Sequence, residues 1–317
     1  MKKIGFIVVA VLVAIGMTAC PGRDAERIHF ATGGVAGVYF PFGTAIATVL
    51  NEQFGLDIVV QATGASRDNV LLMEDGEVQM ALVQNDVMDY AWNGTGLFAA
   101  DGAFRGFRTV ATLYPEVCQV IAVPGIYSIA DLRGRRVSVG AAGSGTEFNA
   151  RHILEAHGLS FADITVHHMG FGPSADAVRD GIIDAAFITS GAPTPAIVDL
   201  ALGRPITVLP VEPSAWAILE REFPFYTQYT IRGGTYTGIP HDVTTVAVMA
   251  TLIVCERLSD ETVYTITRGL FEHRDRIALG HARGNDIDSA RAVTGVTVPF
   301  HSGAARFFRS LGLNVQY

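Results

Sequence analysis

From residue 27 onward, short runs of β-branched and apolar residues alternate with longer stretches whose apolar residues recur every three to four positions. Runs at 27–31, 57–62, 78–84 and 108–114 read as strands. Between them lie helical patterns at 39–54, 66–76 and from about Asp86. In the first helix Phe42, Ile46, Val49, Leu50 and Phe54 share one face. A second set begins near residue 120. Its strands are 117–123, 135–140, 164–169, 184–190 and 205–210, interleaved with a short helix at 128–132 and helices at 144–158, 173–181 and 195–202. A long apolar run at 241–254 follows. A helix over 259–279 comes next, with Ser259 as N-cap and Glu261 in its first turn. This order predicts an α/β fold with a parallel sheet covered on both faces. The two similar sets predict two lobes with a cleft between them. Ligands of such sheets bind outside the carboxyl ends of the strands. The loops expected to carry function are therefore 31–40, 62–69, 84–86, 140–147 and 189–195.

The N-terminus follows a different pattern. Lys2 and Lys3 precede an apolar run from Ile4 to Gly16, shorter than the roughly 20 residues a membrane span needs, which reads as a signal peptide over 1–19. "MTAC" at 17–20 resembles a bacterial lipobox, with Met17 in place of the usual leucine. It implies cleavage before Cys20 and lipidation of that residue; plain signal-peptidase cleavage near Ala19 is the alternative. Either route exports the protein, to the periplasm or to the outer face of the cytoplasmic membrane. Membrane contact through an N-terminal lipid is expected if Cys20 is modified. Lys2 and Lys3 are the only lysines among 23 basic residues. Residues beyond 19 thus carry 21 arginines against 31 acids, a formal charge of −10. So acidic a chain is a poor partner for nucleic acid. Without lysine there is neither a Schiff base nor a P-loop cation. Cys118 and Cys255 sit in apolar runs, so buried free thiols and an exported disulfide both fit, with the unpaired state preferred.

Two glycine loops hold the candidate chemistry. "ATGGVAGVYF" (31–40) invites comparison with the dinucleotide fingerprint G-x-G-x-x-G. Aligned on Gly34 and Gly37, however, it has Thr32 where the first glycine belongs, and Asp57 lies at the wrong end of its strand. What remains is a helix N-terminus approached by glycine amides, which suits an anion; the same glycines also serve a turn that needs only φ > 0. "GAAGSGTEF" (140–148) repeats the arrangement. Ala142 spoils a nucleophile elbow, so Ser144 reads as an N-cap or ligand hydroxyl rather than a nucleophile. His167 and His168 point to opposite faces of a strand, and His152 and His157 lack the spacing of a zinc helix, so no metal set emerges. His273 and His281 read as solvated, near a helix end. Met73, Met80 and Met88 read as packing. Asp86 and Asp89 form a conceivable acid pair, although Asp86 serves more simply as a helix N-cap. No enzyme activity and no cofactor are expected.

Taken in order, "ATGGVAGVYFPFG", "ATGASRDNVLLMEDGEVQMALVQNDV", "LYPEVCQVIAV", "SIADLRGRRVSVGAAGSGTEFNARHIL", "DGIIDAAFITSGAPTPAI", "GTYTGIPHDVTTVAV" and "HSGAARFFRSLGL" resemble the TAXI solute receptors of TRAP transporters. The resemblance implies a type II periplasmic-binding-protein fold with a hinged ligand cleft. Lobe one would be 25–118 plus 232–317, and lobe two 119–231. It implies a receptor that binds a small carboxylate, such as glutamate or 2-oxoglutarate, and docks on the TRAP membrane permease. An ABC-type binding lipoprotein of the same fold, for aromatic sulphonates or nucleobase precursors, is the alternative. The residues expected at the ligand are Thr32, Gly33, Gly34, Tyr39, Thr63, Ser66, Gln84 and Asp86 from lobe one. Ser144, Gly145 and Thr146 would face them from lobe two, with Ser190 and Tyr236 near the rim. One departure stands out: TAXI receptors often read "ATGGSVEN" where this chain has "ATGASRDN". Ala65 there costs backbone freedom, and Arg67 adds a cation within reach of the ligand or of solvent.

Overall fold

The computed structural model describes residues 27–317; the signal segment 1–19 and Cys20 lie outside the described residues. The chain begins β1 (Arg27–Ala31), α1 (Tyr39–Phe54), β2 (Asp57–Gln61), α2 (Ser66–Glu74), β3 (Met80–Gln84) and α3 (Asn85–Asn93). The expected face of α1 is buried, with Phe42, Ile46 and Leu50 at 0% exposure, and Gly55 closes the helix in the left-handed conformation. A long strand, β4 (Phe107–Ala122), then leads into β5 (Arg136–Ser138), α4 (Gly145–Ala156), β6 (Thr165–His167), α5 (Phe171–Arg179), β7 (Ala185–Ser190), α6 (Pro195–Gly203), β8 (Thr207–Leu209), α7 (Pro213–Glu222) and β9 (Thr227–Ile231). A second long strand, β10 (Val243–Cys255), returns to the start. The helices α8 (Asp260–Glu272), α9 (Arg274–Gly280) and α10 (Ser302–Ser310) end the fold.

The strands form one ten-stranded sheet in the order β2-β1-β3-β10-β4-β7-β5-β6, with β8 on β4 and β9 on β10. It is mixed, not parallel as expected. The triplets β2-β1-β3 and β6-β5-β7 are each parallel, but β10 runs antiparallel to β3, β4 runs antiparallel to β7, and β4 and β10 run antiparallel to each other. The reason lies in two long strands that stand between the triplets and run through both halves of the sheet. β4 pairs with β10 from Phe107 to Val117, then leaves it for β7 at Val117–Ser190. At the partner position Ala247, β10 turns to β9. The separate strands read at 108–114 and 117–123 are therefore one, because Pro115 and Glu116 stay in the ladder opposite Met249 and Val248. The helix read at 259–279 breaks at His273 into α8 and α9, while Ser259 caps α8 as expected by accepting from Thr262 N.

Alternation along the long strands builds a core on each face of each half. Leu252 and Val254 join Phe30 and Phe42 under α1, α8 and α10, whereas Ile253 and Cys255 join Val70 and Met88 under α2 and α3. In the other half, Cys118 and Val120 pack with Ile153 and Leu219 under α4 and α7. Val117 and Ile121 pack with Val178 and Leu200 under α5 and α6. Cys118 and Cys255 thus fall in different cores, and both are free and buried. Helices α8 and α10 cross closely at Gly303, where an added Cβ would strike Asp260 O and sit 2.8 Å from Tyr264 N. Gly303→Ala is expected to cost about 1–3 kcal/mol, read as a lower urea midpoint with an unchanged m-value.

Candidate functional site

The carboxyl ends of both parallel triplets meet at one cavity of about 310 Å³, room for about ten water volumes. Loops after β1, β2 and β3 supply one wall; loops after β5, β6 and β7 supply the other. Its walls touch. Ala196 N donates to Ala36 O across the cleft at 3.3 Å, and Asn149 Nδ2 donates to Asp86 Oδ2 at 3.1 Å. Tyr90 packs against Phe148 and Phe225 with ring centroids 6.2 and 5.9 Å away. The cleft is closed.

Of the residues singled out from sequence, Gly33, Gly34, Tyr39, Thr63, Ser66, Gln84, Ser144, Gly145, Thr146 and Ser190 stand in the cavity wall. Thr32, Asp86 and Tyr236 do not. Thr32 is fully buried behind its loop, its hydroxyl donating to Gln61 O at 2.7 Å. Asp86 is not the N-cap but lies inside the first turn of α3, where Oδ1 accepts from Val87 N at 2.8 Å. Tyr236 OH donates to Gln119 Oε1 and accepts from Thr194 N, away from the cavity. Arg67 is also outside the wall and is bound to Asp101 at 2.7 Å. Thr189 also lines the cavity, within the expected loop 189–195 though not singled out there; sequence reasoning missed Glu116 and the segment Gly170–Pro173. The last follows a strand that was read correctly, so the carboxyl-end rule itself could have found it. Glu116 carries no such signal, being one acid inside an apolar strand.

Four helices start at this wall: α1, α2, α4 and α5. Only α4 has a side-chain cap; Ser144 accepts from Glu147 N at 3.3 Å, while Glu147 Oε2 accepts from Gly143 N at 2.7 Å. The starts of α1, α2 and α5 have no side-chain cap, which leaves their first N–H groups for a ligand. Among the described residues no Arg or His side chain lines the cavity. Its ionisable groups are Tyr39 and Glu116. Tyr39 OH donates to Glu116 Oε2 at 2.5 Å, and Glu116 is 3% exposed. Burial lifts Glu116 to about 8, opposed by the Tyr39 hydrogen bond and helped by nearby Asp86, itself lifted to about 6 by burial. Burial and the Glu116 carboxyl keep the Tyr39 hydroxyl protonated well past the usual phenol range. Gln84 Oε1 is buried without a hydrogen-bond partner and lies against Gly145 of the opposite wall. Ala65 holds φ +77° and ψ −147°, the only positive φ outside glycine among the described residues.

The sequence profile that defines the NMT1-like family matches residues 30–312. Solved structures with a similar chain trace include a protein of Bordetella bronchiseptica RB50, at 17% identity and TM-score 0.55, over 90% of this chain and 89% of that one. The periplasmic aliphatic sulphonate binding protein SsuA from Escherichia coli matches at 13% identity and TM-score 0.50, over 90% and 85%. A binding protein component of an ABC phosphonate transporter from Pseudomonas aeruginosa matches at 13% and 0.51, over 82% and 79%. At these identities the likeness concerns the fold, which is the two-lobed periplasmic-binding-protein fold expected from the sequence.

Two outcomes follow from the wall. Ala65→Gly relieves the positive φ and is expected to raise stability by about 1 kcal/mol in urea unfolding. Glu116 holds its proton more tightly in the folded chain, so its stabilisation is complete below its ordinary value of 4.5 and is lost as pH rises toward about 8. Glu116→Gln, which cannot ionise, should therefore gain melting temperature relative to the parent from pH 5 to pH 8. An unchanged difference would contradict the burial argument.

Proposed function

The chain belongs to the NMT1-like family, and from that membership and the cleft we propose that it is an extracytoplasmic solute-binding protein. It takes up one small organic anion between its lobes and passes it unchanged to a membrane permease. The observation that carries this reading is the convergence of four helix N-termini, three without a side-chain cap, on a closed cavity. Such an arrangement recognises a carboxylate, sulphonate or phosphonate headgroup through main-chain donors. Ser144 Oγ is engaged as a helix cap, which suits binding rather than nucleophilic attack. In this reading residues 25–118 with about 248–317 form one lobe and about 119–247 the other; the boundary lies beyond the 231/232 division expected from sequence, because β10 pairs with β9 over Val243–Ala247 and Tyr236 packs with Ile188 and Leu200. The strands β4 and β10 serve as the hinge, and export precedes function. The thirteen ligand residues named from sequence reduce to the ten in the wall, joined by Glu116.

An ABC-type permease is the favoured partner. Two proteins of this fold are described as an aliphatic sulphonate binding protein and as a component of an ABC phosphonate transporter, which supports that class. One observation supports the TRAP receptor as a second reading: Ala65 adopts a glycine-like conformation where the TAXI pattern has glycine. A neighbouring ATPase gene would favour the first, and a large multi-span permease gene the second.

Native mass spectrometry of gently purified protein is expected to reveal a co-purified small anion. Calorimetry of stripped protein with sulphonates, carboxylates and phosphonates should identify its class. Ser144→Ala is expected to weaken binding about tenfold or more, as a lost hydrogen bond to a charged ligand does, because Ser144 Oγ accepts from Glu147 N and keeps its own proton to donate. Failure of the stripped protein to bind any member of the panel would remove this reading.

A further inference from the structure

We infer that Glu116 acts in the cavity as a neutral hydrogen-bond donor, which makes the site a receptor for monoanions and turns dianions away. The inference rests on the receptor reading above and narrows its ligand class. Its geometry is specific. Glu116 is almost wholly buried, Tyr39 OH occupies Oε2, and among the described residues Oε1 has no hydrogen-bond partner while the residue lines the cavity. A proton on Oε1 would point at the ligand.

The charge balance runs the same way. A helix N-terminus is worth about half a positive charge. Of the four at this wall, α2 carries Asp68 and α4 carries Glu147 in the first turn, whereas α1 and α5 carry no acid there. Two uncompensated N-termini supply about one positive charge, and no basic side chain adds to it. That matches one anionic group. An ionised Glu116 would cancel it and repel the ligand, and a dianion would leave one buried charge unmet.

The groups around Glu116 do not rescue an ionised state. Tyr39 from α1 and Tyr114 from β4 remain protonated, with burial the leading cause in both. Asp86 from α3 adds negative charge. Arg283 sits behind the Tyr114 ring, 5.7 Å from its centroid, and is held by Asp286 at 2.7 Å and by Ala192 O. The raised titration of Glu116 agrees with its staying neutral near pH 7.

The test titrates the protein and its Glu116→Gln variant with benzenesulphonate, a monoanion throughout, and with phenylphosphonate, of similar shape but doubly ionised in alkali. Measurements run from pH 6 to pH 9. Benzenesulphonate affinity for the parent is expected to hold to about pH 8 and then fall about tenfold per pH unit. Glu116→Gln should bind within about tenfold of the parent at pH 6 and lose its pH dependence. Phenylphosphonate should bind at least tenfold more weakly than benzenesulphonate at pH 9, with the gap narrowing at pH 6. A parent affinity that is flat or rises with pH would overturn the inference and leave the receptor reading standing. So would a Gln variant that cannot bind, or a preference for the dianion. Binding of neither probe at any pH counts against the small-anion receptor. The melting-temperature difference between parent and variant then still reads Glu116, and a difference constant from pH 5 to pH 9 overturns its neutral role.

Discussion

The antiparallel pairing of β4 with β10 is the constraint on which the rest of the molecule depends. These are the strands that run through both halves of the sheet, and each half acquires its order from them. Where they separate, at Val117 and Ala247, each takes a new partner. Two register irregularities, between Ala250 and Thr251 and between Leu252 and Ile253, bend the pair just before that point. Any relative movement of the lobes has to be absorbed by these backbones. Glu116 is next to the divergence point and reaches the cavity, so one residue joins the geometry of the ladder to the chemistry of the cleft.

The cleft draws its positive character from main-chain dipoles, not from side chains. The arginines nearest to it are tied elsewhere, Arg67 to Asp101 and Arg283 to Asp286. A site built from amides has fixed geometry, because each donor belongs to a helix whose position is set by a buried face. Phe42, Ile46 and Leu50 hold α1 in place, and Ile153 and Leu154 hold α4. Packing far from the ligand thereby determines where the donors point.

Much of this was legible in the sequence because it depends on local pattern. The period of α1, the Ser144 and Ser259 caps and the glycine loops at strand ends are all local. What escaped depends on partners distant in the chain. Mixed strand direction is invisible in the run 241–254, which reads as apolar in either orientation; only pairing with both β3 and β4 fixes it. Helix α10 places Phe307 and Phe308 in a core with Leu50 and Leu252, far away in sequence, and its segment was not assigned as a helix. Thr32 and Tyr236 carry polar groups suited to a ligand, yet each is consumed by the fold, by Gln61 O and by Gln119 and Thr194. Glu116 is the converse, an acid in a strand whose meaning emerges only when burial and Tyr39 are known.

The bond from Ala196 N to Ala36 O spans the cleft between main-chain atoms, beside the side-chain bridges of Asn149 to Asp86 and of Tyr90 to Phe148 and Phe225. A side-chain substitution in the wall can retune which ligand fits without deleting that contact. Dissociation must break it first, whatever the ligand, so residence time has a component that belongs to the protein and is shared by every occupant. Ligand preference and unloading speed are accordingly separable traits, open to change one at a time.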